Sequence, residues 1–448
     1  MKEENKRVLF VFDKFIGWER TPVAVVAISN LLNGLKLFGW KCALLTLGGD
    51  SLQPDFLKID ERREEFLTLL SDSPIYKAKG WIPYPKEVFS YLLRRKGKAS
   101  FRASKSIGSS SLKTKWGRKF IEWVGSLIFS FWESYVYCYK QMVKEGMKGI
   151  KEFKPSIIIS TYPGGSNLTV ASRLSTLSGV PWVAYIRDPF YNKFKEMLMR
   201  PVLNSASAII SVMDKFDYPR RRPPLYALHH GYDPSKYPKV SLLPTFTITS
   251  IIRGYVAEWL ILRFLRVLYH LKEEGILARF PLKVRFYMSN PHPLLQEWIK
   301  MLHLQDLIEL HPPISHTEML LRECESTLLL LIRWRSMLKP AKYIYSLKFW
   351  EFVGAGRPIL RIGHPDDAAA EMLNKLRVGV NLESEEDIYC FLRKALNDFY
   401  TKGDIDWNPD REAVFSFALP NLAQKWDEIL KKKANGGDKI LDPFLNYF

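Results

Sequence analysis

Lys348 and Glu351 stand three residues apart in the stretch Leu347-Lys-Phe-Trp-Glu-Phe-Val-Gly-Ala-Gly-Arg-Pro-Ile-Leu-Arg361. Residues at that spacing share one face of a helix, so a cation and a carboxylate sit side by side. On a helix facing a cleft, such a pair suits a ribose diol beside a phosphate. The carboxylate accepts from hydroxyls and the ammonium offsets the anion. Gly354 and Gly356 are expected to stop this helix, and Pro358-Ile-Leu-Arg-Ile362 to open a strand. An exposed salt bridge is the other reading of the pair. Against it, Tyr343, Ile344, Leu347, Trp350, Phe352 and Val353 give the helix the composition of a buried element. A carboxylate kept in such a helix points to a cleft at a sheet's switch point.

Other groups fall at the ends of strand-like runs. Arg187 and Asp188 follow Trp182–Ile186, and Gly164 and Gly165 follow Ile157–Thr161, at the edge where ligands of open α/β sheets gather. A local pair fixing a turn is the alternative for Arg187 and Asp188. Arg253 and Gly254 lie at a strand-to-helix turn, where a glycine admits a diphosphate to backbone N–H groups and the guanidinium neutralises it. Arg333, Arg335, Lys339 and Lys342 precede the Lys348 helix, as phosphate ligands or as a solvated basic loop. His229-His-Gly-Tyr-Asp233 reads as a turn supplied by Gly231 and capped by Asp233. No P-loop, no G-x-G-x-x-G, no H-E-x-x-H and no nucleophile elbow occurs.

Two series of strands must position these groups. The first is Val8–Phe12, Ala43–Leu47, Ile157–Thr161, Trp182–Ile186, Ala208–Val212 and Leu225–His229, with a helix at about Val23–Phe38. The second is Thr245–Ile252, Leu282–Met288, Ile308–His311, Thr327–Ile332, Pro358–Ile362 and Val378–Asn381. Their continuous apolar character suits parallel strands covered on both faces. Alternation with helical patterns predicts doubly wound α/β architecture, twice over. Ser315-His-Thr-Glu318 and Ser384-Glu-Glu-Asp387 are helix-start signals. Tyr232 to Pro244, with three prolines and no apolar period, is the linker. The expected units are residues 1–238, residues 245–405 and a C-terminal piece, 406–448.

Charge narrows the partners. The formal net charge is +19, which implies an anionic partner: nucleic acid, an acidic membrane or phosphorylated substrates. A hydrophobic fraction of 47% is ample for folded cores. Cys42, Cys138, Cys324 and Cys390 are scattered, with no zinc or disulfide spacing, which fits a reducing cytoplasm. Residues 86 to 119 carry Lys86, Arg94, Arg95, Lys96, Lys98, Arg102, Lys105, Lys113, Lys115, Arg118 and Lys119 against Glu87 alone. An apolar helix follows, with Trp116, Phe120, Trp123, Leu127 and Phe131 at helical spacing. This insertion, about 86–139, suits an anionic membrane surface; a core helix behind a solvated basic loop is the alternative. Glu122 and Glu133 interrupt the stretch Phe120 to Tyr139, so it falls short of the roughly 20 apolar residues of a membrane span. No nucleic-acid recognition module is visible, so nucleic acid is not expected as a partner.

Taken together, the motifs resemble GT-B glycosyltransferases, and among them family 4 enzymes of bacterial and archaeal surface polysaccharide or glycolipid synthesis. The Lys348 stretch is similar to their K-x-x-E-[YF]-x-x-x-G-[KR]-P-I-L. Lys154-Pro-Ser-Ile-Ile-Ile-Ser-Thr-Tyr-Pro-Gly164 resembles K-P-D-x-I-I-x-[ST]-x-P-P, with Ser156 for the aspartate. Gly179-Val-Pro-Trp-Val-Ala-Tyr-Ile-Arg-Asp-Pro189 resembles G-[IV]-P-W-[IV]-x-x-x-R-D-P. The resemblance implies a nucleotide-diphosphate sugar, with UDP or GDP, on the second domain. Glu351 would hold the ribose, while Lys348, Arg253 and the Gly254 turn hold the diphosphate. The backbone near Ile314 would read the base, and Tyr343 would stand among the donor-binding residues where the family often has a second glutamate. Arg187 and Asp188 would serve catalysis, with the acceptor near Gly164 and Gly165. It also implies a C-terminal helix, about Pro420–Lys433, crossing back to the first domain. The expected activity is hexosyl transfer to a lipid-linked or polysaccharide acceptor at the inner face of the cell membrane, retaining and without metal or cofactor. Should the enzyme invert, Asp188 or Asp13 is the first base to test. Tyr343 and the altered first loop, Asp13 to Pro22, keep open a sugar-nucleotide-binding protein without transfer activity.

Overall fold

The computed structural model describes residues 5–12, 23–48, 71–79, 139–164, 166–190, 193–213, 223–252, 258–288, 293–332 and 345–435. The basic stretch 86–119, the aromatic helix pattern up to residue 138 and the first loop, 13–22, lie outside them.

The first domain is a parallel sheet of β1 (Arg7–Val11), β2 (Lys41–Gly48), β3 (Ile75–Lys79), β4 (Ile157–Tyr162), β5 (Trp182–Ile186), β6 (Ala208–Ser211) and β7 (Leu225–Ala227), in the order β3-β2-β1-β4-β5-β6-β7. Its helices are α1 (Val23–Leu37), α2 (Tyr139–Phe153), α3 (Asn167–Ser178) and α4 (Lys193–Asn204). Strands β4, β5 and β6 are buried at every position, as expected of parallel strands covered on both faces. β3 is absent from the strands expected above. Its sequence, Ile-Tyr-Lys-Ala-Lys, alternates as an edge strand does and shows no apolar run. α2 packs closely because Gly146 and Gly149 lack side chains. A Cβ on Gly146 would come within 2.6 Å of Leu174, and one on Gly149 within 2.8 Å of Tyr76.

The second domain repeats the plan. β8 (Phe246–Ile252), β9 (Leu282–Met288), β10 (Ile308–His311), β11 (Leu328–Ile332), β12 (Ile359–Ile362) and β13 (Gly379–Leu382) lie in the order β10-β9-β8-β11-β12-β13, all parallel. The helices are α5 (Glu258–Glu273), α6 (Ile276–Arg279), α7 (Pro293–Met301), α8 (His316–Glu325), α9 (Leu347–Ala355), α10 (Ala368–Leu376) and α11 (Glu385–Lys402), and the C-terminal piece adds α12 (Arg411–Phe415) and α13 (Leu419–Ala434). Strand order reverses between β1 and β4 in one sheet and between β8 and β11 in the other. Open α/β sheets bind ligands outside the carboxyl ends of strands at such points.

The linker carries a short 3-10 turn, Pro234–Lys236, whose cap Asp233 accepts from the Ser235 N–H. Gly231 ahead of it has φ 63°, and a Cβ there would lie 2.2 Å from the Phe417 carbonyl oxygen. That close approach lets Tyr232 pair with the chain at Phe417–Leu419, with Tyr232 N donating to Phe417 O and Leu419 N to Tyr232 O. α13 then packs on α1, and Trp426, Ile429 and Leu430 join the first domain's core. Asp427, buried, accepts from Trp40 Nε1 at 2.9 Å and pairs with Lys431 at 2.8 Å.

One local expectation is corrected. Gly354 does not stop its helix; α9 runs through it to Ala355, and Gly356 caps it at φ 67°. Gly354 serves packing instead, since a Cβ there would lie 2.3 Å from the Tyr237 ring.

Candidate functional site

α9 sets the site on the second sheet. Ser346 caps it by accepting from the Phe349 N–H, and Leu347, Phe349, Trp350, Phe352 and Val353 bury its inner face. Trp350 packs against Phe417, ring centroids 4.7 Å apart, and against His229 at 5.4 Å, so the helix is wedged at the junction of the domains. Lys348 and Glu351 remain half-buried. The Lys348 ammonium donates to the carbonyl of Ile251, in β8 beside the switch point. Glu351 Oε1 accepts from His316 Nε2 at 3.0 Å, and the two side chains are 16% and 10% exposed.

His316 opens α8, directly after the loop that contains Ile314. Its cap Ser315 accepts from the Glu318 N–H. The geometry therefore joins Lys348, Glu351, the end of β8 and the Ile314 loop. Burial, followed by the fields of Glu323 and Glu351, pushes the Tyr237 hydroxyl well above its ordinary pKa, so it stays protonated behind α9. Arg253, Gly254, Tyr343, Arg333, Arg335, Lys339 and Lys342 lie outside the described residues.

At the first sheet, Arg187 leaves β5 and is 6% exposed. Its Nε donates to Thr161 Oγ1 at 2.8 Å and its Nη2 to the Pro163 carbonyl at 3.4 Å. Asn167 Nδ2 adds a bond to the Thr161 carbonyl. The guanidinium thus organises the loop that leads from β4 to the buried Gly164. Gly165 lies outside the described residues, and Asp188 is half-buried beside Arg187. Burial first, then Arg187 and His229, push the His230 pKa down to about 3. Its Nδ1 lies 3.3 Å from the Tyr185 hydroxyl, whose pKa burial raises. A protonated phenol donating to a neutral imidazole satisfies both groups.

Three residues here were not singled out from sequence. His316 was hidden inside a capping box, His230 inside a turn. Lys195 is 5% exposed and holds its ammonium 5.8 Å from the Tyr162 ring centroid. No spacing rule links any of them to its partner. Among the described residues, no group of three or more His, Cys, Asp or Glu side chains could hold a metal ion, and no helix is long and apolar enough to cross a membrane. A groove of about 600 Å³, lined by Tyr237, Lys239, Cys324, Gly356 and Arg357 among others, lies at the amino ends of β11 and β12, away from the switch-point edge.

Two parallel Rossmann-like sheets, joined by a linker and tied by a returning C-terminal helix, define the GT-B fold expected from the sequence. The chain is similar in structure to a sucrose-phosphate synthase from Thermosynechococcus elongatus, with TM-score 0.59 and 10% identity over 95% of this chain and 98% of that one. It is also similar to a lipopolysaccharide outer core galactosyltransferase, with TM-score 0.54 and 9% identity over 95% and 99% of the two chains. A UDP-GlcNAc 2-epimerase from Neisseria meningitidis bound to UDP-GlcNAc gives TM-score 0.53 and 10% identity over 95% and 100%. No family model and no curated protein sequence matches the chain.

Proposed function

We propose that the chain is a glycosyltransferase that moves a sugar from a nucleotide-diphosphate sugar, held on the second domain, to a hydroxyl presented over the first. One observation carries this reading: Lys348 and Glu351 meet the end of β8 and the start of α8 at the switch-point edge of the second sheet. Glu351 accepts from the ribose hydroxyls. Lys348, with Arg253 and the Gly254 turn, attracts the diphosphate. In the reaction the bond from the anomeric carbon to the β-phosphate oxygen breaks and a bond to the acceptor oxygen forms. The hydroxyl proton leaves with the nucleoside diphosphate or through a base. Fixed cations favour this step because negative charge grows on the departing diphosphate.

UDP is the first nucleotide to test, since the epimerase of the same fold is bound to UDP-GlcNAc. The net charge of +19 supports an anionic membrane surface and a lipid-linked or glycan acceptor at its cytoplasmic face. Arg187 and Asp188, with Gly164 and Gly165, border the acceptor in this reading, and retention of configuration follows the family resemblance.

Calorimetric titration of the full chain with UDP- and GDP-sugars, then transfer assays with glycan and lipid-linked acceptors, test the proposal. Glu351→Ala is expected to cost about 2–4 kcal/mol of donor affinity, roughly 30- to 900-fold. Unchanged donor binding in that variant counts against the role. Interconversion of the bound sugar without an acceptor would instead point to epimerase chemistry. Tight binding with no turnover would favour a binding protein.

A further inference from the structure

We infer that His316 is a positioning residue that sets the preference of the nucleotide site for ribose over 2′-deoxyribose, by holding the Glu351 carboxylate in one orientation. The inference rests on the donor reading above and deepens it.

A glutamate has three side-chain torsions, and an unheld one populates several rotamers. Glu351 is held: His316 Nε2 lies 3.0 Å from Oε1. The donor itself is rigidly delivered. Pro312 and Pro313 restrict the backbone just ahead, and the Ser315 side chain caps the helix that His316 begins. Both side chains are largely enclosed, at 10% and 16% exposure, where a directed hydrogen bond is stronger than in water. Lys348, on the same helix, donates to the Ile251 carbonyl. A carboxylate offers about four lone-pair directions, of which the bond from His316 takes one. Capacity alone does not discriminate. A vicinal diol is told from a 2′-deoxy sugar only when the acceptor oxygens are fixed relative to both hydroxyls, and fixing them is the part His316 plays.

The test is the ratio of two affinities. Titration of the full chain with UDP and with 2′-deoxy-UDP, or the guanine pair if only that base binds, should show the ribonucleotide bound about tenfold or more tightly by the wild type. In His316→Ala the ratio should fall to within about twofold, mostly through weaker ribonucleotide binding. His316→Gln extends an amide N–H to about the reach of Nε2 and should restore the ratio. His316→Asn is too short and should not. Glu351→Gln combined with His316→Ala should lose no more discrimination than Glu351→Gln alone. A stabilising contact with no bearing on the ligand would move the melting temperature of these variants and leave the ratio intact. That result overturns the inference while sparing the donor site, and the Gln/Asn contrast still decides it if the alanine variant does not fold. Equal binding of both sugars by the wild type removes the ribose role of Glu351 and this inference together. Binding of no nucleoside diphosphate at all defeats the function proposed above, and His316 falls with it.

Discussion

The carboxyl edges of the two sheets carry their charge differently. At the first, the Arg187 guanidinium turns inward to Thr161 and Pro163, and beside it Tyr185 and His230 are both kept uncharged. At the second, Glu351 meets His316 and Lys348 meets the end of β8, with the side chains of Glu351 and His316 still reaching the surface. One topology thus yields an edge whose cation shapes a loop and an edge whose charges tie the helix α9 to β8 and α8.

The contrast breaks most visibly in a pair of variants. Glu351→Ala should lose about 2–4 kcal/mol of donor affinity, an effect larger than the stability lost with the His316 hydrogen bond. Arg187→Leu should do the reverse. It leaves the Thr161 hydroxyl and the Pro163 carbonyl without their charged donor, so urea denaturation should show a loss of about 1.5–3 kcal/mol while donor affinity holds. An Arg187→Leu protein with an unshifted urea midpoint, intact donor binding and no transfer would make Arg187 catalytic and reverse the comparison.

How much of this was legible beforehand follows from the physics of each element. Parallel strands buried on both faces are continuous apolar runs, so β4, β5 and β11 stand out within a residue of their observed limits. Ser315 and Ser384 announce their helices because capping is local, and both accept the expected N–H. β3 escapes because an edge strand needs only one apolar face. α2 escapes because Gly146 and Gly149 lower its helix propensity while permitting the close packing that stabilises it. Gly354 misleads for the same reason: a glycine near a helix end reads as a stop, yet here it accommodates the Tyr237 ring. At the site, Lys348 and Glu351 are visible as a helical pair. The separation of 35 positions from His316 to Glu351 is crossed by the packing of α8 on α9, which no spacing rule encodes.

The smallest effect concerns the uncharged pair at the first edge. The folded pKa of His230, about 3, lies below the ordinary histidine value of about 6.5. Between those values the unfolded chain binds a proton that the folded chain refuses, so stability rises with pH there. The contribution is complete above about pH 6.5 and is lost as pH falls, by at most about 1.4 kcal/mol per pH unit. At pH 6.5 only half of the unfolded chains hold that proton, so the expected loss between pH 6.5 and 5.5 is at most about 1 kcal/mol. Urea stability of the wild type and of His230→Gln, measured at both pH values, isolates it: the glutamine variant should lose less over that unit. Identical pH slopes would mean that His230 protonates readily in the folded chain. The first edge would then carry a titratable group beside Arg187, and the contrast between an uncharged first edge and a charged second edge would no longer hold.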